Sequence, residues 1–395
     1  MKFFFDFVVK HSLITKQKLI FQGNVVVHSR TIHVSKNGNS TDNEDCGSFI
    51  KPCKHLRQAI KISDPFDIIL MDSSYIYYQN NPISIPHSLT ISSYFADQHI
   101  GNQDDKATLD FLVDGITFFS IHQDLNLTNI VLIVNPRSSV DVFILFSAVE
   151  GQNVSKISVI DCIFQLQIVT QMTLYHDFAS LEIEFKETNF VAPLTNQRNT
   201  RRKERWDFKR KNEFEQNSVK RVVFYKCNFL HFNILEASQA NSEWYFWNNT
   251  FKRTGLVING EMSLVQFVQN LFDYSFLALS NSDTSPKLTE IKERSTKLVG
   301  CTFRTSIIQL SNFGKTSNIN DLFISNSHFE NSPVTVWAYA FESSLIFNVT
   351  VENSLFTGSG YYPSASQLEL TNLSKSTVKK ATILNCTFKN LLRPL

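Results

Sequence analysis

Nine times between residues 161 and 390 the chain returns to a small or polar residue, one intervening residue and a phenylalanine. A motif copied that often demands a repeating structural unit. Four copies carry cysteine: Asp161-Cys162-Ile163-Phe164, Lys226-Cys227-Asn228-Phe229, Gly300-Cys301-Thr302-Phe303 and Asn385-Cys386-Thr387-Phe388. Five carry another small polar residue, and they end at Phe190, Phe251, Phe272, Phe329 and Phe356. Most intervals between these phenylalanines lie between 21 and 32 residues, the length of one coil of a parallel β-helix.

The small residue and the phenylalanine are two apart, so in an extended strand both point to one side. That side is the core. An apolar-rich strand precedes each motif, as at Lys156 to Ile160 and Val222 to Tyr225, and a third follows, as at Ile307 to Leu310. Three short strands per coil, joined by polar corners, account for the spacing. Paired-helix arrays also repeat at such periods, but these segments alternate with period two and are rich in Val, Ile, Phe and Thr. A β-sandwich uses short strands too, yet its strands share no common motif. The 35 phenylalanines need an interior, and the ladder gives them one.

Other segments depart from the repeat. Residues 1–30 read as a lead: Met1-Lys2-Phe3-Phe4-Phe5 resembles a secretory leader that Asp6, Lys10 and His11 interrupt, as in a degenerate signal or a gene-model artefact. Residues 31–395 are expected to form the β-helix, and Leu395 follows its last motif closely, as in a fragment of a longer protein. Leu56, Ala59 and Ile60 share one helical face, so a helix over 54–63 is expected to cap the first coil, which would otherwise expose its core. The interval from Phe190 to Phe229 is long and holds Arg198, Arg201, Arg202, Lys203, Arg205, Lys209, Arg210 and Lys211, which reads as a basic loop over 195–221. Net charge is only +2, so the surface as a whole is no polyanion binder, and no apolar run is long enough to span a membrane.

Val34-Ser35-Lys36-Asn37-Gly38, then Cys46-Gly47-Ser48, Pro52-Cys53 and Ala59-Ile60, resemble the opening of pectin-lyase-like right-handed parallel β-helix proteins. The form Asn385 to Asn390 is similar to the coil motif of the eukaryotic relatives of the polymorphic outer membrane protein family. The resemblance covers roughly residues 31 to 390 and lacks that family's Gly-Gly-Ala or Gly-Gly-Ile companion motif. It implies an all-β solenoid with a cell-surface or secreted role.

In an exported chain Cys46 and Cys53 are expected to pair, because their short loop brings the Cα atoms within bridging distance. The four motif cysteines are not. Coils stack about 4.8 Å apart and at least two steps separate any two of these cysteines, so they are expected to be buried free thiols serving as small apolar core residues. Sequons for glycosylation occur at Asn39, Asn126, Asn153, Asn248, Asn348, Asn372 and Asn385.

Many β-helices act on acidic polysaccharides, so enzyme chemistry is the competing expectation. A lyase similar to pectate lyases would need clustered carboxylates and a base, and a hydrolase similar to polygalacturonases would need paired acids and a Gly-His-Gly segment. Asp104-Asp105 reads as a solvated corner, Gly-His-Gly is absent, and no later coil is expected to stack acids at the motif position. His122, His176, His231 and His328 are scattered without metal-ligand spacing, and no glycine loop suits a phosphate. No catalytic, cofactor or metal residues are therefore assigned. The expectation is a non-catalytic secreted or cell-surface β-helix, structural, adhesive or glycan-contacting, whose partners are glycans or surface proteins and not nucleic acid. Two alternatives stay open: a divergent polysaccharide lyase or glycoside hydrolase, and a polyanion-binding module using the basic loop.

Overall fold

The computed structural model describes residues 17–21, 25–39, 46–73, 75–94, 106–111, 117–134, 142–148, 154–166, 171–176, 181–192, 219–283, 295–314, 318–340, 345–358, 368–374 and 377–389. Among them the chain is a parallel β-helix. The motif strands build one sheet of 12 strands, and the rest of each coil builds a second sheet of 21. Every pairing in both is parallel, because each strand lies beside its counterpart one coil on.

The register places phenylalanine on phenylalanine. Phe164, Phe190, Phe229, Phe251, Phe272, Phe303, Phe329, Phe356 and Phe388 form one column, with ring centroids 4.4 to 5.0 Å apart and planes within 12°. Coil spacing sets that distance, so each ring can lie on the next without straining the backbone. The same column continues towards the N-terminus as Leu132, Leu109 and Tyr77. A second inward column holds Phe185, Phe224, Phe246 and Phe267, then passes to Leu298, Ile324 and Val351. The two columns meet edge to face: Phe185 and Phe190 are 5.5 Å apart at 65°, and Phe224 and Phe229 5.5 Å at 68°.

Two sharp corners pinch each motif strand. The residue before the small one is left-handed in every coil from Asp161 to Asn385, with φ between 48° and 62°. A second left-handed residue follows the phenylalanine strand at His231, Arg253, Tyr274, Thr305 and Asn331. Asn and Asp tolerate this conformation, whereas Glu187, Lys226 and Gln269 pay for it. Their amides are held: Glu187 N–H donates to the Tyr225 carbonyl at 2.8 Å and Lys226 N–H to that of Trp247 at 2.9 Å. The expected third corner is missing in two coils. There Asn233–Trp247 and Gly255–Val268 run on as single long strands that bend around it, with a register shift near Ser242.

The small position does more than fill space. Asn249 Nδ2 donates to the Phe224 carbonyl at 3.1 Å, and its Oδ1 accepts from Cys227 N–H at 2.8 Å. Asn270 repeats the pattern one coil on, with Nδ2 on the Phe246 carbonyl at 2.8 Å and Oδ1 accepting from Asn249 N–H at 2.9 Å. Ser327 and Ser354 serve likewise. The corner amides thus find partners inside the core, where an unmet donor costs about 1 to 3 kcal/mol. Cysteine at this position adds a weak bond of its own: Cys227 Sγ donates to the Phe185 carbonyl at 3.5 Å. Cys162, Cys227 and Cys301 are free and buried, as expected, while Cys386 is free and half-buried where burial was expected.

At the N-terminal end the helix Leu56–Ile62 buries Leu56, Ala59 and Ile60 against the first coil, within the expected span. Cys46 and Cys53 are disulfide-bonded, with Cα atoms 4.9 Å apart. Gly38 permits the strand Thr31–Asn39 to lie against that loop, because a Cβ there would fall 2.4 Å from the Pro52 carbonyl oxygen. Part of the lead pairs as an antiparallel hairpin, Gln17–Phe21 with Val25–Ser29. The basic loop ends earlier than expected: Lys220 and Arg221 belong to the strand Val219–Tyr225. Its eight basic residues from Arg198 to Lys211, together with Asp104, Asp105 and Asn153, lie outside the described residues.

Candidate functional site

Inward columns are uniform, so function is sought on the outward positions between them. The strands Lys156–Ile160, Leu181–Lys186, Val219–Tyr225 and the end of Asn233–Trp247 lie side by side. Their outward residues form three columns. The first runs Lys156, Glu182, Arg221, Glu243; the second Ser158, Glu184, Val223, Tyr245; the third Ile160, Lys186, Tyr225, Trp247. Each member stands at a fixed distance ahead of its rung phenylalanine, so coil geometry alone collects charges of alternating sign and three aromatic rings on one ledge.

A bulge shapes the ledge. Leu181 pairs with Val219 but Glu182 pairs with Arg221, so Lys220 is the extra residue. Bulges re-aim side chains, and here Lys220 Nζ reaches Glu182 Oε1 at 3.2 Å. Lys156 Nζ lies 3.9 Å from Glu184 Oε2, and Lys226 Nζ 3.5 Å from Glu187 Oε1. The Arg221 guanidinium carbon sits 4.9 Å from the Tyr245 ring centre, and its Nε is buried without a hydrogen-bond partner. Tyr245 donates its hydroxyl to Glu243 Oε2 at 3.0 Å, and its ring centre is 5.3 Å from that of Trp247. Burial raises the Tyr245 phenol above its ordinary value, the Glu243 bond and charge add to this, and Arg221 opposes it. The phenol therefore remains a donor at neutral pH.

Exposed ion pairs of this kind stabilise by about 0 to 1 kcal/mol each, too little to explain the array as a stability device. Aromatic faces beside carboxylates and a guanidinium suit a ligand with an apolar C–H face and a hydroxyl rim. A sugar ring has that character.

The residues weighed from sequence are not brought together. His122, His231 and His328 stand on separate coils, and His176 ends the strand Gln171–His176. Of the sequons, Asn126, Asn248, Asn348 and Asn385 are exposed, Asn372 lies in the strand Leu368–Ser374, and Asn39 ends Thr31–Asn39. Asp273 and Glu330 share the position after the rung phenylalanine but do not stack on each other, because Arg304 lies between them with its Nε 3.7 Å from Glu330 Oε2. Neighbouring coils alternate in sign there because like charges one rung apart would repel. Among the described residues no three His, Cys, Asp or Glu side chains are placed to hold a metal, and no helix is long and apolar enough to cross a membrane. The buried motif thiols are pushed up, to about 12 at Cys162 and Cys227 and about 11 at Cys301, chiefly by burial, which makes them poor nucleophiles.

Comparison with family models finds no match, and neither does comparison with curated proteins. Among solved structures, a rhamnogalacturonan lyase aligns at 10% identity and TM-score 0.36, over 88% of this chain and 86% of that one. The bacteriophage CBA120 tailspike protein 3 aligns at 10% identity and TM-score 0.38, over 94% of this chain and 65% of that one. The fold rests on the strand pairing described above.

Proposed function

We propose that this protein is an exported β-helix rod that contacts glycans without transforming them, in a structural or adhesive role at the cell surface. One observation carries the reading: Tyr225, Tyr245 and Trp247 share a ledge with Arg221, Glu182 and Glu243. The Cys46–Cys53 disulfide favours an oxidising compartment. The likeness of Asn385 to Asn390 to relatives of the polymorphic outer membrane protein family agrees with a surface location, and the exposed Asn126, Asn248 and Asn348 are the sequons best placed to carry glycans. Binding to a glycan panel tests the proposal. The full chain should retain one glycan class, and Trp247→Ala should weaken that binding at least about tenfold. Unchanged binding by the variant would remove the ledge from the account.

A second reading, a divergent polysaccharide lyase or glycoside hydrolase, is favoured by Glu182 and Glu243 flanking Arg221 in one outward column. Two coil steps put their backbones about 9.6 Å apart. Glu182, 42% exposed beside Lys220, is not in the apolar surroundings given to a catalytic acid. Release of new reducing ends or unsaturated products, lost in Glu243→Gln, would establish this reading over the first.

A further inference from the structure

The corner that closes the ledge repeats from coil to coil. Asp161, Glu187, Lys226, Asn248 and Gln269 follow one another there, each left-handed with φ between 51° and 55°. Each amide donates to the carbonyl that ends the ledge strand of the next coil, as Lys226 does to Trp247 at 2.9 Å and Asn248 to Val268 at 3.0 Å. One backbone geometry therefore relates every corner side chain to the outward residue just before it. At Lys226 that relation is visible: its Nζ lies over the Tyr225 ring, 5.2 Å from the centre, so the side chain turns back across the ledge. Asn248 stands to Trp247 as Lys226 stands to Tyr225, one coil on.

Asn248 also opens the sequon Asn248-Asn249-Thr250. Asn249 is buried in the rung and Thr250 is half-buried, so Asn248 is the member that faces solvent. Its amide nitrogen is the atom that would take a sugar, and the sequons whose side chains are described differ in how that atom is engaged. Asn126 Nδ2 donates to Thr90 Oγ1 at 3.4 Å, Asn348 Nδ2 to Asp321 Oδ1 at 2.9 Å and Asn385 Nδ2 to Asn353 Oδ1 at 3.3 Å. Among the described residues the Asn248 side chain has no partner. A sugar on that nitrogen displaces no bond of the fold.

We propose that Asn248 carries an N-linked glycan whose first sugar lies on the Trp247 ring, so that this modification governs access to the ledge. In its attachment Asn248 Nδ2 loses one proton and bonds to the anomeric carbon of an oligosaccharyl diphosphate lipid, while the C–O bond to the diphosphate breaks and its electron pair leaves with the diphosphate. The linked sugar starts one side chain away from Trp247, which is half-buried with its ring centre 5.3 Å from that of Tyr245. Its C–H face meets the indole at high effective concentration, without the translational freedom that a free glycan gives up on binding. The inference rests on the glycan-contacting reading of the ledge, since the tethered sugar and a free one compete for the same ring.

The experiment directs the full chain through a eukaryotic secretory host and reads occupancy of Asn248 by mass spectrometry of its peptide. Hydroxyl-radical footprinting then reports the cover on Trp247 with no ligand added. The glycosylated parent should be protected at Trp247 and Asn248→Gln labelled several-fold more; glutamine suits this corner, because Gln269 holds it with φ 55°. Thr250→Ala, which breaks the sequon and keeps Asn248, should match Asn248→Gln, whereas Asn348→Gln should leave Trp247 protected. The two forms lacking the Asn248 glycan should also bind the retained glycan class about tenfold more tightly than the parent. Protection of Trp247 with no glycan bound by any form would support this assignment and remove the ligand reading of the ledge. An unoccupied Asn248, equal labelling of Trp247 with and without the sugar, or a measurable affinity that the sugar leaves unchanged would overturn it.

Discussion

The coils that carry the ledge and those that follow it share an interior and differ on the outside. Phe185, Phe224 and Phe246 continue inward as Phe267, Leu298 and Ile324 without a break in register. The outward column of Lys156, Glu182, Arg221 and Glu243 instead continues as Leu264, Ser295, Asp321 and Asn348, where the alternation of charge is lost. The solenoid stands equally well on both exteriors. The ledge is therefore not a requirement of the fold, and the inward columns are.

Truncating an inward ring should do most damage. Phe303→Ala empties a place between Phe272 and Phe329 and should cost about 3 to 5 kcal/mol in chemical denaturation. Replacing both Cys46 and Cys53 by serine should cost about 2 to 3 kcal/mol, given the short loop they close, and should show first as increased hydrogen exchange in the helix Leu56–Ile62. Asn249→Ala leaves the Cys227 amide without its acceptor and should cost about 1 to 3 kcal/mol, with Asn249→Asp a milder change. Arg221→Ala should cost about 1 kcal/mol or less, since it gives up the contact with the Tyr245 ring but also removes a buried Nε that has no hydrogen-bond partner. A loss as large as that of Phe303→Ala would erase the distinction between the two sides of the sheet.

Alkaline titration adds a smaller effect. The Tyr94 phenol is raised to about 12 by burial and then by Asp72, so its contribution to stability is full below pH of about 10 and is lost as pH climbs towards 12. Tyrosinate absorbance should follow the loss of the N-terminal coil in that window.

The motif phenylalanines could be read from sequence because an inward position repeats in type as well as in spacing. Tyr77, Leu109 and Leu132 occupy the same column but could not, since nothing in an isolated leucine marks a rung. The column of Phe185 to Phe267 sits at a constant offset from the motif, yet it fades into Leu298 and Ile324, and the repeat appears to the eye to have ended. Left-handed corners fall on Asn353 and Asn385, which tolerate the conformation, and equally on Glu187 and Lys226, where packing overrides the preference of the residue, so residue type alone does not mark them. The ledge was missed for a related reason: its members differ chemically from coil to coil. Counting back from each phenylalanine aligns Glu182, Arg221 and Glu243, and that fixed offset was the available signal.

Phe246 and Trp247 are chain neighbours that point to opposite sides of one strand, so they allow the most direct test. Denaturation and glycan binding would be measured on Phe246→Ala and Trp247→Ala in parallel. The account predicts that Phe246→Ala loses about 3 to 5 kcal/mol and keeps the affinity of its folded fraction, while Trp247→Ala loses less than half that stability and at least about tenfold in affinity. Equal destabilisation by the two, or full binding by Trp247→Ala, would contradict it.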